Sequence, residues 1–270
     1  MKTLFKTQDI AVIGICAALY AVVGILTANI TFFGVGFLPA VVIPAIFAVL
    51  YGPWVGGLSG ALGIFIRDLF VHGNAGLSLV AGVPPNFILF FLIGYITYRN
   101  ISLKQALAGV AAAAVGLLVP TIIFLPEFAT YTGLSTEVFL LTFVLTIILS
   151  LAVIAAVAIR WKEWRSYAIA SVIGQAVGAG LLSITVWAVS PFFLSYFETP
   201  FASSYIFPLF VWTFATEVPF ILLAGPPIIK ACYKAFPSLK FRTRTERKTE
   251  NNKSGNNSLL SSNIHFIVDS

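Results

Sequence analysis

Leu50-Tyr51-Gly52-Pro53-Trp54-Val55-Gly56-Gly57-Leu58-Ser59-Gly60-Ala61-Leu62-Gly63-Ile64-Phe65-Ile66-Arg67-Asp68 is the stretch that decides the fold. Gly52-Pro53 reads as a helix break, because proline has no backbone N–H to donate. The residues after it are apolar on all faces, which marks a helix buried in a core or a bilayer. Gly52, Gly56 and Gly60 repeat every four residues, joined by Gly57, Ala61 and Gly63. A helix this rich in glycine must pack closely against neighbours. It ends on Arg67-Asp68, two charges at the edge of an apolar run, and a charge inside a membrane segment is a functional-site hypothesis by default.

Outward from this stretch the chain repeats the pattern. Eight apolar segments cover about 10–29, 37–51, 54–71, 78–98, 104–124, 137–159, 166–190 and 205–232, most of them near the ~20 residues that cross a bilayer. Hydrophobic residues make up 59% of the chain and charged residues 10%, against about 25% charged in a soluble domain. The mean hydropathy is +0.97. The fold class is therefore all-α: a polytopic helical membrane protein of about eight transmembrane segments. Segments two and three, split at Gly52-Pro53, form a re-entrant or extra hairpin in the alternative count. A β-barrel is excluded, since its strands alternate apolar with polar.

The net charge of +6 does not point to nucleic acid. Lys240, Arg242, Arg244, Arg247, Lys248 and Lys253 lie in a polar tail, and most other basic residues flank apolar spans. Lys2 and Lys6, the turn from Arg99 to Lys104, the loop from Arg160 to Arg165 and the tail fall on one side only if the number of spans between them is even. The loops carrying Glu127, Glu137 and Glu198 have no Lys or Arg. This bias predicts both termini in the cytoplasm of a multi-pass protein of the cell membrane. Residues 1–237 are read as the bundle and 238–270 as a basic, disordered cytoplasmic tail in reach of anionic lipid. The run from Ile10 to Ala28 is too long for the core of a signal peptide and is read as a retained helix. Cys16 and Cys232 both sit in apolar spans, with no disulfide or metal spacing.

In the first span Gly14, Ala17, Ala21, Gly24 and Ala28 recur at steps of three and four, one stripe of a helix. Such a stripe is either an internal seam or a docking face for another membrane protein.

Three features resemble the substrate-binding S-components of energy-coupling factor (ECF) transporters, over about residues 9–99. They are the first span Gly14-Ile15-Cys16-Ala17-Ala18-Leu19-Tyr20-Ala21-Val22, the turn Leu50-Tyr51-Gly52-Pro53-Trp54-Val55-Gly56-Gly57, and the acidic Asp68 closing the third helix. The resemblance implies uptake of a vitamin or related micronutrient. It implies docking through Ala17 and Ala21, with Gly14 and Gly24 on the same stripe, onto a transmembrane coupling subunit driven by cytoplasmic ATPases. The family is usually built of fewer helices than the eight segments read here.

Arg67, Asp68, Asn86, Gln175, Trp187, Trp212 and Glu217 are the candidate substrate-binding residues. On the topology above they lie in the outer half of their spans or near mid-span. Charged groups fix orientation in an apolar pocket, amides donate and accept, and indole faces stack rings or cations. Each has a plainer reading: interfacial solvation for Arg67 and Asp68, a loop residue for His72, an interfacial anchor for Trp187, interhelical glue for Asn86 and Gln175. Glu217 has the weakest plain reading, being a mid-span glutamate two residues before Pro219. No nucleophile–base spacing, metal cluster or nucleotide-binding Gly-Lys loop occurs. An enzyme and a resident cofactor are not expected, and ATP dependence must come from partners. The competing function is a self-contained transporter coupled to a proton or cation through Glu217.

Overall fold

A computed structural model describes residues 6–32, 35–132 and 135–239. The elements in order are helix α1 (Thr7–Leu26), a short antiparallel hairpin of β1 (Thr31–Phe32) and β2 (Val35–Gly36), α2 (Val42–Tyr51) and α3 (Pro53–Val71). Then come α4 (Ala75–Leu77) and α5 (Val83–Ile96), joined by a π-helical turn over Ser78–Gly82. They are followed by α6 (Leu103–Thr132), α7 (Thr136–Arg160), α8 (Arg165–Val189), α9 (Leu194–Phe197) and α10 (Ile206–Ala235). The chain to Ala231 forms one compact unit, and Cys232–Ser270 a second. The tail reading for 240–270 lies outside the described residues.

Among the described residues, seven helices are long and apolar enough to cross a membrane, and Pro39–Tyr51 forms a shorter apolar helix. The shorter helix is the second segment of the sequence reading, 37–51. At ~1.5 Å per residue it reaches only about 20 Å of a core ~30 Å thick. It packs on α3. Gly52 makes the reversal at φ 101°, a left-handed value that a side chain would strain. Most of α2 is buried, so its brevity is met by protein rather than lipid.

The glycine-rich α3 is the hub, packed on α1, α2 and α5. A methyl at Gly63 would come within 2.9 Å of the Ala17 carbonyl, and one at Gly57 within 3.0 Å of the Phe87 ring. Only glycine permits these approaches. α5 then packs on α8, where Gly174 and Gly178 lie against Leu89.

The small-residue stripe of α1 is split, with Gly14 exposed. Ala17, Ala21 and Gly24 are buried within the chain, on the seam with α3. Ile15, Leu19, Val22 and Leu26 point outward, and so do Gly14 and Ala18.

Pro219, Pro226 and Pro227 lie inside α10, which runs through them as one helix. Proline at 219 leaves the Ala215 carbonyl without its usual i+4 donor. The Ser150 hydroxyl of α7 donates to that carbonyl at 2.5 Å. The helix continues through Pro219 because a neighbouring helix satisfies the freed group.

Candidate binding cavity

Arg67 and Asp68 occupy the last turn of α3 and are both buried. Adjacent residues on a helix point about 100° apart, yet here they pair, Arg67 Nη1 donating to Asp68 Oδ1 at 2.9 Å. The second Asp68 oxygen accepts the Ser78 hydroxyl at 2.8 Å. Ser78 opens the π-helical turn. Pro84 and Pro85, which lack N–H groups, start α5, and the turn closes through the Val83 N–H to the Ser78 carbonyl. π-turns of this kind occur disproportionately at functional sites. A methyl at Gly82 would sit 2.7 Å from Asp68 Oδ2, so this glycine leaves room for the carboxylate.

His72 caps α3. Its Nε2 lies 3.4 Å from Arg67 Nη1 and its Nδ1 2.7 Å from the Tyr196 hydroxyl of α9. The Asp68 carboxylate also faces this ring, its Oδ1 lying 3.7 Å from Nε2. Burial lowers the pKa of His72; Asp68 opposes this and Arg67 adds to it.

One turn into α5, Asn86 accepts the Tyr20 hydroxyl of α1 at 2.8 Å and donates to the Gly82 carbonyl at 3.0 Å. From the opposite wall, Gln175 of α8 donates to Glu217 Oε2 of α10 at 2.6 Å and to the Thr213 carbonyl at 3.3 Å. Both side chains are buried.

Arg67, Asp68, Asn86, Gln175 and Glu217 line a single cavity of about 80 Å³. The structure thus brings five of the seven sequence candidates together from four helices. Trp187 and Trp212 do not line it. Sequence reasoning missed Ser78, Thr213 and Tyr196, and set His72 aside as a loop residue; all four line the cavity. Ser78 and Thr213 carry no sequence signal that separates them from other span hydroxyls. Tyr196 lies in a short helix whose fold over the cavity is a tertiary fact. Val35, Gly36 and Leu38 of the hairpin region and Tyr196 and Phe197 of α9 complete the wall.

Four buried polar atoms of the lining have no hydrogen-bond partner: Arg67 Nε and Nη2, Gln175 Oε1 and Thr213 Oγ1. Unpartnered buried groups are costly and call for an explanation, and a polar ligand is the direct one. A larger groove of about 580 Å³ lies between α6, α8 and α10. Its walls offer one polar side chain, Gln105, too little to orient a polar molecule. Among the described residues no group of three or more His, Cys, Asp or Glu is placed to hold a metal.

The comparisons with known proteins bear on the first half of the chain. Residues 8–137 match the family described as "ECF transporter, substrate-specific component". A UPF0397 protein of Aliivibrio salmonicida is 35% identical over 97 residues, covering 36% of this chain and 53% of the relative. A UPF0397 protein of Vibrio atlanticus is 38% identical over 79 residues, 29% of this chain and 43% of the relative. One of Aliivibrio fischeri (strain MJ11) is 36% identical over 97 residues, 36% of this chain and 53% of the relative. The chain spans about half the length of the curated relatives it matches. No solved structure matches it. The family match contains Arg67, Asp68 and Asn86, while Gln175 and Glu217 lie beyond it. The match to this family takes in the residues that carry the resemblance and covers just under half of the chain, residues 8–137, and among the described residues seven helices are long and apolar enough to cross a membrane.

Proposed function

We propose that the chain is the substrate-binding subunit of a micronutrient importer, that the cavity is its substrate site, and that partner ATPases energise transport through a transmembrane coupling subunit. The observation that carries this reading is the convergence of Arg67, Asp68, Asn86, Gln175 and Glu217 on one buried cavity, within a chain whose first half matches a substrate-specific component. Both termini are cytoplasmic in this reading, on the charge bias of the loops. The cavity then opens toward the outside, where α3 ends and α5 begins. At about 80 Å³ it is smaller than the ~300–1,000 Å³ of most ligand pockets. A vitamin-sized substrate enters by displacing the segments that cover it, β2 and α9.

Docking of the coupling subunit on α1 needs small residues that face outward. Gly14 and Ala18 form that pair, four residues apart and exposed, in place of the buried Ala17 and Ala21.

The test is purification from native membranes in mild detergent, followed by reconstitution in vesicles. Uptake is expected to need co-purified ATPase subunits and ATP. Glu217→Gln is expected to weaken substrate binding at least tenfold, or about 1.4 kcal/mol, in calorimetry. Tryptophan fluorescence suits this less well, because no tryptophan lines the cavity. Uptake by the isolated chain, driven by an imposed proton gradient without ATP, would establish the competing reading of a self-contained transporter coupled through Glu217.

A further inference from the structure

The charges and idle atoms of the cavity specify a ligand chemistry; this step rests on the reading of the cavity as the substrate site. Arg67 is already balanced by Asp68 at 2.9 Å. Glu217 is held by an amide, Gln175, at 2.6 Å, and has no ion pair with any described residue. With Glu217 ionised, the buried ledger is one positive charge against two negative ones. A buried carboxylate without a counter-charge is strongly disfavoured. Beside Glu217 two further atoms wait for a partner, the acceptor Gln175 Oε1 and the hydroxyl Thr213 Oγ1. This end of the cavity asks for a donor that carries positive charge.

The Arg67 end asks for the opposite. Nη1 is committed to Asp68, while Nε and Nη2 have no partner. These two nitrogens share one edge of the guanidinium and present parallel N–H groups, a fork that fits two coplanar acceptors. Gly36 lies against this edge; a methyl there would overlap Nη2. A carboxylate at the fork would satisfy the geometry but add a further negative charge to a site that already has an excess. A planar heterocycle offering neutral nitrogen or oxygen acceptors satisfies it without that cost, as the fork does on a guanine edge.

We infer that the substrate is a small monocation, an amine-bearing nitrogen heterocycle, bound with its ammonium on Glu217, Gln175 and Thr213 and its neutral acceptor edge on the Arg67 fork.

An isosteric panel tests this on the full chain in detergent: aminomethylpyridines, pyridinecarboxamides and pyridinecarboxylates, read by thermal shift and calorimetry. The amines are expected to bind at least tenfold more tightly than the uncharged amides, and the carboxylates not measurably. Glu217→Gln should erase the preference of amine over amide while leaving the protein folded. Arg67→Lys keeps the charge but loses the fork, and should weaken the ring compounds while a plain alkylamine binds as before. Carboxylates binding as well as amines, or an amine preference that survives Glu217→Gln, would overturn the assignment and leave the cavity a substrate site of another class. If no member of the panel binds, and no small molecule is retained by the purified protein, the reading of the cavity as a substrate site fails and this inference falls with it.

Discussion

Asp68 is the residue on which the cavity turns. It takes Arg67 Nη1 on one oxygen and Ser78 on the other, so it ties α3 to the π-helical turn. Gly82 is the weak point of that arrangement. A methyl at 82 would overlap Asp68 Oδ2 and crowd Ser78. Gly82→Ala is expected to cost about 1–3 kcal/mol through overpacking, and to lower substrate binding more than Gly→Ala at the exposed Gly14, where nothing lies within 4 Å. Thermal melts and calorimetry on both variants check it. His72 gives a pH dependence. It faces Arg67, Asp68 and Tyr196, and its burial favours the neutral ring. The folded-state pKa lies below the ordinary 6.5, so the folded chain binds fewer protons than the unfolded one as pH falls through that region. The penalty is absent above about 6.5 and grows below it, toward the lower folded value. Melting temperature should therefore drop on acidification from pH 7.5 to 5.5, and His72→Gln should flatten that slope. An unchanged slope would mean that other groups set it.

At the scale of elements, helices exchange polar groups so that irregular backbone can stay in an apolar medium. Ser150 of α7 serves the carbonyl that Pro219 strands on α10, and Tyr167 of α8 donates to the Ile221 carbonyl of the same helix. Ser150→Ala is expected to destabilise the chain by about 1–3 kcal/mol, the cost of a buried carbonyl left unpaired. Pro219→Ala in the same background restores the helical donor and should recover most of the loss; a double variant no more stable than Ser150→Ala would show that the carbonyl is not the cause. The two alanines of α1 separate packing from docking in the same way. Ala17 is fully buried beside Gly63 of α3, so Ala17→Phe should lower stability and expression. Ala18→Phe, on the exposed face, should leave folding and substrate binding intact and reduce co-purification of the coupling subunit. The reverse pattern would place the docking face on the buried stripe.

For the whole molecule the decisive quantity is the parity of crossings. Among the described residues seven helices are long enough to span, and Pro39–Tyr51 is not, on its own. If that shorter helix with its preceding hairpin counts as one crossing, the basic turns at 99–104 and 160–165 fall on one face. Single cysteines introduced in 162–164 should then resist a membrane-impermeant reagent in intact cells, and cysteines at 199–202 should react. Labelling of 162–164 from outside would reverse the orientation and place the cavity on the cytoplasmic side.

The amino-acid order by itself determined the class, the span boundaries and the glycine-rich hub, because an apolar run near ~20 residues has few other fates and a helix of glycines must be covered. It also marked Arg67, Asp68, Asn86, Gln175 and Glu217, since polar groups in lipid-depth segments are rare and need partners. Tertiary structure decided what periodicity leaves open. The stripe of α1 reads equally well as a seam or a docking face until α3 is seen lying on Ala17 and Ala21. The proline of α10 reads as a break until Ser150 is seen on the carbonyl it frees. Trp187 and Trp212 share helices with Gln175 and Glu217 but do not line the cavity, because twelve residues carry Trp187 about 18 Å along α8 from Gln175 and Trp212, five residues before Glu217, points in a different direction. Which atoms of Arg67 and Gln175 are left idle depends on distances between helices far apart in the chain, and those are set only when the bundle closes.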